Sequence, residues 1–210
     1  MTMTTKGLLV RLVVKHGKDD EVENFLSSAL PLVRQEAGTK AWFAVRFGRS
    51  EYGIVDFFPD EASRDAHLNG AVASALMKKA DELFETSPDI QKIEILASKL
   101  PSQPPAETNT KGILLTFKAK EGHEQEVVQF LKDARPLAMA EEETIAWFAI
   151  RLPNDEYGIF DVFPDNGARL KHLTGRIPQE LTKHALSLLG SFPDMHLLKV
   201  TAENFNPSLN

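Results

Sequence analysis

Apolar and polar positions along the first half of the chain change period several times, and the changes mark out elements. Gly7–Lys15 (GLLVRLVVK) alternates as a strand, with Leu8, Val10, Leu12 and Val14 on one face and Leu9, Arg11 and Val13 on the other. After Gly17, residues Val22, Phe25, Leu26, Ala29, Leu32 and Val33 recur every three to four positions, which predicts an amphipathic helix from about Lys18 to Glu36. Pro31 lies inside that pattern and predicts a kink or break, because proline lacks a backbone donor and clashes with the preceding turn. Lys40–Phe58 then reads as two strands joined by a polar turn, Gly48-Arg49-Ser50. Asp60 is placed to cap a helix reaching Asn69, and a longer helix is predicted over Ala71–Phe84. Ser87-Pro88-Asp89 turns the chain into a last strand, Ile90–Leu96. The predicted order is β-α-β-β-α-β, the split-βαβ or ferredoxin-like motif of the α+β class.

The pattern then repeats. One constant offset carries Lys6 to Lys111 and Ala97 to Ala202, and roughly 38 of about 92 aligned positions are identical, the mark of an internal duplication. Both tryptophans and both tyrosines lie in the two hairpins, AWFAVRFGRSEYGIVDFF from Ala41 and AWFAIRLPNDEYGIFDVF from Ala146. Pro136, Asp165 and the strand Met195–Thr201 repeat the break, the cap and the last strand. The expected organisation is a first domain over residues 1–97, a linker over 98–110 containing three prolines, a second domain over 111–202 and a loose tail over 203–210.

Alternation within the hairpin sorts its faces. With a three-residue turn, one face carries Ala41, Phe43, Val45, Phe47, Gly53, Val55 and Phe57, without a polar side chain. The other carries Trp42, Ala44, Arg46, Tyr52, Ile54, Asp56 and Phe58, and in the second copy Trp147, Arg151, Tyr157 and Asp161. The apolar face is expected to take the helices. The mixed face is still too apolar to stay wet, and its natural partner is the same face of the other copy. Two curved antiparallel sheets packed in that way enclose a central space, with Arg11, Arg46, Tyr52 and Asp56 in or near it.

Composition narrows the chemistry. A net charge of −6 with no basic run argues against a nucleic-acid surface. The absence of cysteine removes disulfides, thiolate catalysis and Cys-based metal sites. No apolar stretch approaches the ~18 residues of a membrane span, and the N-terminal residues lack a signal-peptide pattern, so a cytoplasmic location is expected. Phosphate loops, nucleophile elbows and carboxylate–histidine metal motifs are also missing.

The run AWFA-R, EYGI-D, FPD, R, HL and G, present in both copies, resembles the antibiotic biosynthesis monooxygenase (ABM) family of dimeric α/β barrels. In that family a chain of half this length usually forms a homodimer; here two copies are fused, so a monomeric pseudo-dimer is expected, with pairing through exposed edge strands as the alternative. The resemblance implies a cofactor-independent monooxygenase, in which a small electron-rich aromatic or quinonoid molecule gives its own electrons to O2 and no flavin, haem or metal is required. It implies stacking walls from Trp42 and Trp147 and phenol or carbonyl contacts from Tyr52 and Tyr157. Arg46, Arg151 and Arg11 would hold developing negative charge, and Asp56 and Asp161 would act as bases if burial raises their pKa. His67 and His172 would serve as proton shuttles or, in a haem-binding relative, as axial ligands. Haem-degrading relatives pair an asparagine, a tryptophan and a histidine; this first strand offers only Leu9, Arg11 and Thr116 in the asparagine's place, which counts against that activity.

Each residue also has a plainer reading. Trp42 fits as a core ring, Arg46 and Asp56 as a structural ion pair, Tyr52 as a rim residue, and His67 as a cap on the carbonyls at its helix end. A non-catalytic binding or stress-linked protein would use the same pocket. Fold alone does not decide among these.

Overall fold

The computed structural model describes residues 4–103 and 110–206. The first repeat runs β1 (Lys6–Val13), α1 (Asp19–Ser28), α2 (Leu30–Val33), β2 (Ala41–Gly48), β3 (Glu51–Phe58), α3 (Glu61–Leu68), α4 (Ala71–Leu83) and β4 (Asp89–Lys99). The second runs β5 (Lys111–Lys118), α5 (Glu124–Asp133), α6 (Arg135–Ala140), β6 (Ala146–Leu152), β7 (Glu156–Phe163), α7 (Asn166–Leu173), α8 (Arg176–Leu188) and β8 (Asp194–Phe205). Around the first hairpin the strands pair in the order β1-β3-β2 and then the end of β8, and around the second in the order β5-β7-β6 and then the end of β4. This is the α+β, ferredoxin-like tandem expected from the pattern. None of the described helices is long and apolar enough to cross a membrane.

The prolines act where they were expected to. The helix predicted over Lys18–Glu36 breaks at Ala29, two residues before Pro31, and restarts as α2 with the proline in its first turn. In the first turn a missing N–H costs nothing, since those donors have no intrahelical acceptor. Pro136 does the same for α6. Asp60 and Asp165 cap α3 and α7, accepting from the amides of Ser63 at 2.8 Å and Ala168 at 2.9 Å. In the second hairpin Arg151 pairs with Tyr157 and Leu152 with Glu156. In the first, Arg46 pairs with Tyr52 but Gly48 faces Glu51, so Phe47 is bulged out of the ladder. A side chain at Gly53 would stand 2.5 Å from the carbonyl oxygen of Val10, so only glycine admits β1 this closely.

Two last strands run longer than predicted, and they divide the chain differently from the repeat. One compact unit comprises the chain to Ile93 together with the segment from Leu198; the other is Glu94–Leu197. In the first unit, Lys199–Phe205 of β8 pairs with β2, Ala41 facing Phe205 and Trp42 facing Asn204. In the second, Glu94–Lys99 of β4 pairs with β6, Lys99 facing Trp147. Residues 203–205, expected in a loose tail, are therefore strand, because β2 offers them an open row of backbone donors and acceptors. Ser98 and Lys99, expected in the linker, are strand for the same reason. Residues 104–109 of that linker and 207–210 of the tail lie outside the described residues.

The faces are the reverse of the expected assignment. In the first unit Val22 and Leu26 of α1, Val33 of α2 and Val72 and Leu76 of α4 pack with Val10, Leu12, Trp42, Ala44, Tyr52 and Ile54. The mixed face thus carries the helices. The second unit repeats this, with Val127, Leu131 and Ile177 packed with Trp147, Ala149, Tyr157 and Ile159. On the other face of the first unit Phe43, Val45, Val55 and Phe57 are buried, and Phe43 meets Phe205 edge-on with ring centroids 5.2 Å apart. Polarity misled the assignment because the polar residues of the mixed face find their partners on the helices that cover it.

Candidate functional site

Asp56 sits in the middle of β3, opposite Leu8 on one side and Trp42 on the other, and is 1% exposed. The side chain that reaches it is His67, in the last turn of α3, whose Nε2 lies 3.1 Å from Oδ2. On the other side of the ring, Nδ1 lies 2.6 Å from Oε2 of Glu36, just beyond α2. Thr39 donates from Oγ1 to that same oxygen at 2.8 Å. The imidazole also leans against Phe58, with centroids 5.2 Å apart. The second unit repeats every contact. His172 bridges Glu141 at 2.6 Å and Asp161 at 3.2 Å, Thr144 donates to Glu141 at 2.7 Å, and Phe163 lies beside the ring at 5.0 Å.

The electrostatics follow from this sandwich. Burial alone would lower the pKa of His67, but the charge of Asp56 and the ring's interactions with the acceptor carboxylates of Asp56 and Glu36 outweigh it and raise the ring to about 10. His172 is raised to about 10 by the equivalent partners. The raised pKa favours the imidazolium form of both rings, which hydrogen-bonds through Nδ1 to its glutamate and meets its aspartate through Nε2 at ion-pair distance. Burial pushes Asp56 and Asp161 up, and the imidazolium opposes that push. Burial also acts to raise Glu141, but hydrogen bonds from His172 and Thr144 bring it below the ordinary range. Among the described residues neither carboxylate oxygen of Asp56, nor Oδ1 of Asp161, has a hydrogen-bond partner, so Asp56 is held by the charge of His67 at 3.1 Å. With both ring nitrogens engaged, neither histidine has a lone pair for haem iron or another metal in this arrangement.

A cleft opens over each imidazolium–glutamate pair. The first, about 570 Å³, lies between the segment after α2 and the α3–α4 junction, and is lined by Glu36, Thr39, Ser63, His67 and Gly70 among others. The second, about 400 Å³, uses the equivalent elements, with Glu141, Thr144, Ala168, His172 and Gly175. Both volumes suit a small organic molecule. Asp56 and Asp161 lie behind the histidines, out of both linings.

The other expected site residues are elsewhere. Trp42 and Trp147 are fully buried in the helix-side cores. Tyr52 reaches α1, donating toward Asp19 at 3.2 Å and Glu23 at 3.1 Å. Arg46 bridges the same two carboxylates at 3.0 and 3.1 Å, and Lys199 adds a contact to Glu23 at 3.1 Å. Burial and Glu23 drive the Tyr52 pKa well up, so its phenol stays protonated. The second unit has Glu124 and Val128 at those α1 positions, and Arg151 turns instead to Asp155 at 2.7 Å. Arg11, on the face away from the helices, lies over the Phe47 ring at 3.6 Å. Trp42, Arg46, Tyr52 and Arg11 line neither cleft, so the expected grouping of Trp, Arg, Tyr and Asp around one ligand is not what the fold builds. The expected ion pair of Arg46 with Asp56 is replaced by two separate networks. His67 and His172 are the expected residues that do line a cleft.

Glu36, Thr39 and their counterparts Glu141 and Thr144 were missed. The signal for them was present: Glu36/Glu141 and Thr39/Thr144 are identical pairs in the loops before the hairpins, where few other residues match.

No protein-family model and no curated protein matches the sequence. Solved structures match its fold. A proposed monooxygenase from Fusobacterium nucleatum subsp. nucleatum superposes with a TM-score of 0.87 at 15% identity, over 100% of this chain and 98% of that one. One from Lactobacillus acidophilus gives 0.82 at 12% identity, over 97% of each chain. A ferredoxin-fold protein related to antibiotic biosynthesis monooxygenases, from Listeria monocytogenes, gives 0.52 at 7% identity, over 95% and 96%. These likenesses show the fold, a ferredoxin-like α+β arrangement. In this chain the ferredoxin-like element order occurs twice in tandem.

Proposed function

We propose that the chain is a cofactor-independent monooxygenase for small electron-rich aromatics or quinols, working in the cleft over His67, whose counterpart lies over His172. The observation that carries this reading is the carboxylate–imidazolium–carboxylate relay beneath each cleft. Glu36 lies at the cleft surface and accepts the proton of an acidic O–H or C–H of the substrate. His67 keeps both of its ring protons, donating from Nδ1 to Glu36 while Nε2 stays against the buried Asp56, so the proton taken from the substrate rests on Glu36. The imidazolium stays charged throughout and faces the substrate anion with a fixed positive group. The anion reduces O2 by itself: a ring methylene becomes a carbonyl with one oxygen atom, and the other leaves as water.

Oxygen uptake tests this directly. Protein stripped of metal and flavin is given anthrone, hydroquinones and catechols, beside a Glu36→Gln, Glu141→Gln double variant shown to be folded. Loss of a proton acceptor should slow uptake by about 100-fold or more. Equal uptake in both proteins rejects the relay as the base.

A binding protein without chemistry is the second reading, favoured by one feature: the same relay fastens α3 and the α2 loop to β3. Ligand binding with no uptake from any compound would select it.

A further inference from the structure

The two clefts share their floor and differ at their rim. Ala37, Gly38, Ala66 and Ala71 border the first. The equivalent positions of the second are Glu142, Glu143, Lys171 and Arg176. Lys171 Nζ lies 3.1 Å from Glu143 Oε2, so an ion pair spans the second cleft between α7 and the segment before β6, where the first has Ala66 and Gly38. The second cleft is also smaller, about 400 against 570 Å³.

We infer that the clefts have diverged in ligand class. The first takes an uncharged, flat aromatic, and Glu143, Lys171 and Arg176 make the second refuse it. This rests on the proposed reading of the clefts as ligand sites. An apolar ring entering the first cleft covers small side chains that lose no hydration. Entering the second, it must part an ion pair and dehydrate charged groups without replacing their hydrogen bonds. The exposed pair is itself a weak latch, since both partners remain largely in water. Dehydration of the rim supplies the discrimination, and about tenfold or more in affinity is expected.

Equilibrium dialysis under nitrogen with 1,4-naphthohydroquinone tests this without any turnover. The unaltered chain should bind at one site. Glu143→Gly with Lys171→Ala should add a second site of similar affinity. Ala66→Lys with Ala71→Arg, both at exposed positions, should remove the first. Two equal sites in the unaltered chain, no binding, or a stoichiometry that neither pair changes would overturn the inference. The two readings fail separately. One-site binding with no oxygen uptake rejects the oxygenase and leaves the rim inference standing. Two equal sites with uptake that depends on Glu36 does the reverse.

Discussion

His67 Nε2 lies 3.1 Å from Asp56 Oδ2, and His172 stands in the same relation to Asp161 at 3.2 Å. Each pair ties a helix to the central strand of its hairpin through groups almost sealed from water. A buried carboxylate left without its counter-ion is costly, so the histidine is structurally necessary whatever the site does. His67→Gln should destabilise the chain by about 3–5 kcal/mol, and His172→Gln by a similar amount. Urea unfolding of each variant measures this. A loss below about 1 kcal/mol would mean that Asp56 simply takes up a proton and the relay holds nothing.

Stability should depend on pH through the same groups. The histidine pKa rises from 6.5 to about 10 on folding, so the folded chain binds the proton more tightly than the unfolded one. The resulting stabilisation is complete below pH 6.5 and is lost as pH rises through 10. Thermal unfolding temperature should therefore decline between those limits, and the His67→Gln, His172→Gln double variant should flatten the decline. A melting temperature that rises over this range would show that the rings are neutral in the folded state.

The relay also shows where sequence reading succeeds. Strand alternation, the proline breaks and the Asp60 cap are local effects, and residues 6–97 and 111–202 confirm one another, so the order of elements was legible. The direction in which the hairpin faces point was not. It depends on whether Asp56, Arg46 and Tyr52 have partners across the helix layer, and those partners, Glu36, His67, Asp19 and Glu23, are distant in sequence. A polar residue in a strand indicates solvent only when nothing charged packs over it.

The Tyr52 network gives an internal control. Its hydroxyl contacts Asp19 and Glu23, whereas Val128 has replaced the second acidic residue near Tyr157. Tyr52→Phe should cost about 1–2 kcal/mol, in the range of hydrogen bonds to charged groups. Tyr157→Phe should stay within about 0.5 kcal/mol of the unaltered chain, as its hydroxyl holds no equivalent bond. Chemical denaturation of both variants decides it. Equal losses would mean that ring packing, common to both, dominates.

The end of β8 separates a tail from a structural strand. Phe205 is 9% exposed, faces Ala41 across the ladder and stacks edge-on against Phe43. The amide of Asn206 donates to the carbonyl of Lys40 at 2.9 Å, which extends the pairing past the aromatic ring. A mobile tail would tolerate Phe205→Ala without effect. A core ring removed from this setting costs about 3–5 kcal/mol, because the hole cannot close without moving β2. For a chain of this size, 3 kcal/mol corresponds to a fall of roughly 6–12 °C in melting temperature. Calorimetry of Phe205→Ala beside Phe192→Ala, whose side chain is 99% exposed, reads the difference on one scale. Only the first should melt early; if neither does, residues 203–205 contribute no more than the loose tail that their sequence suggests.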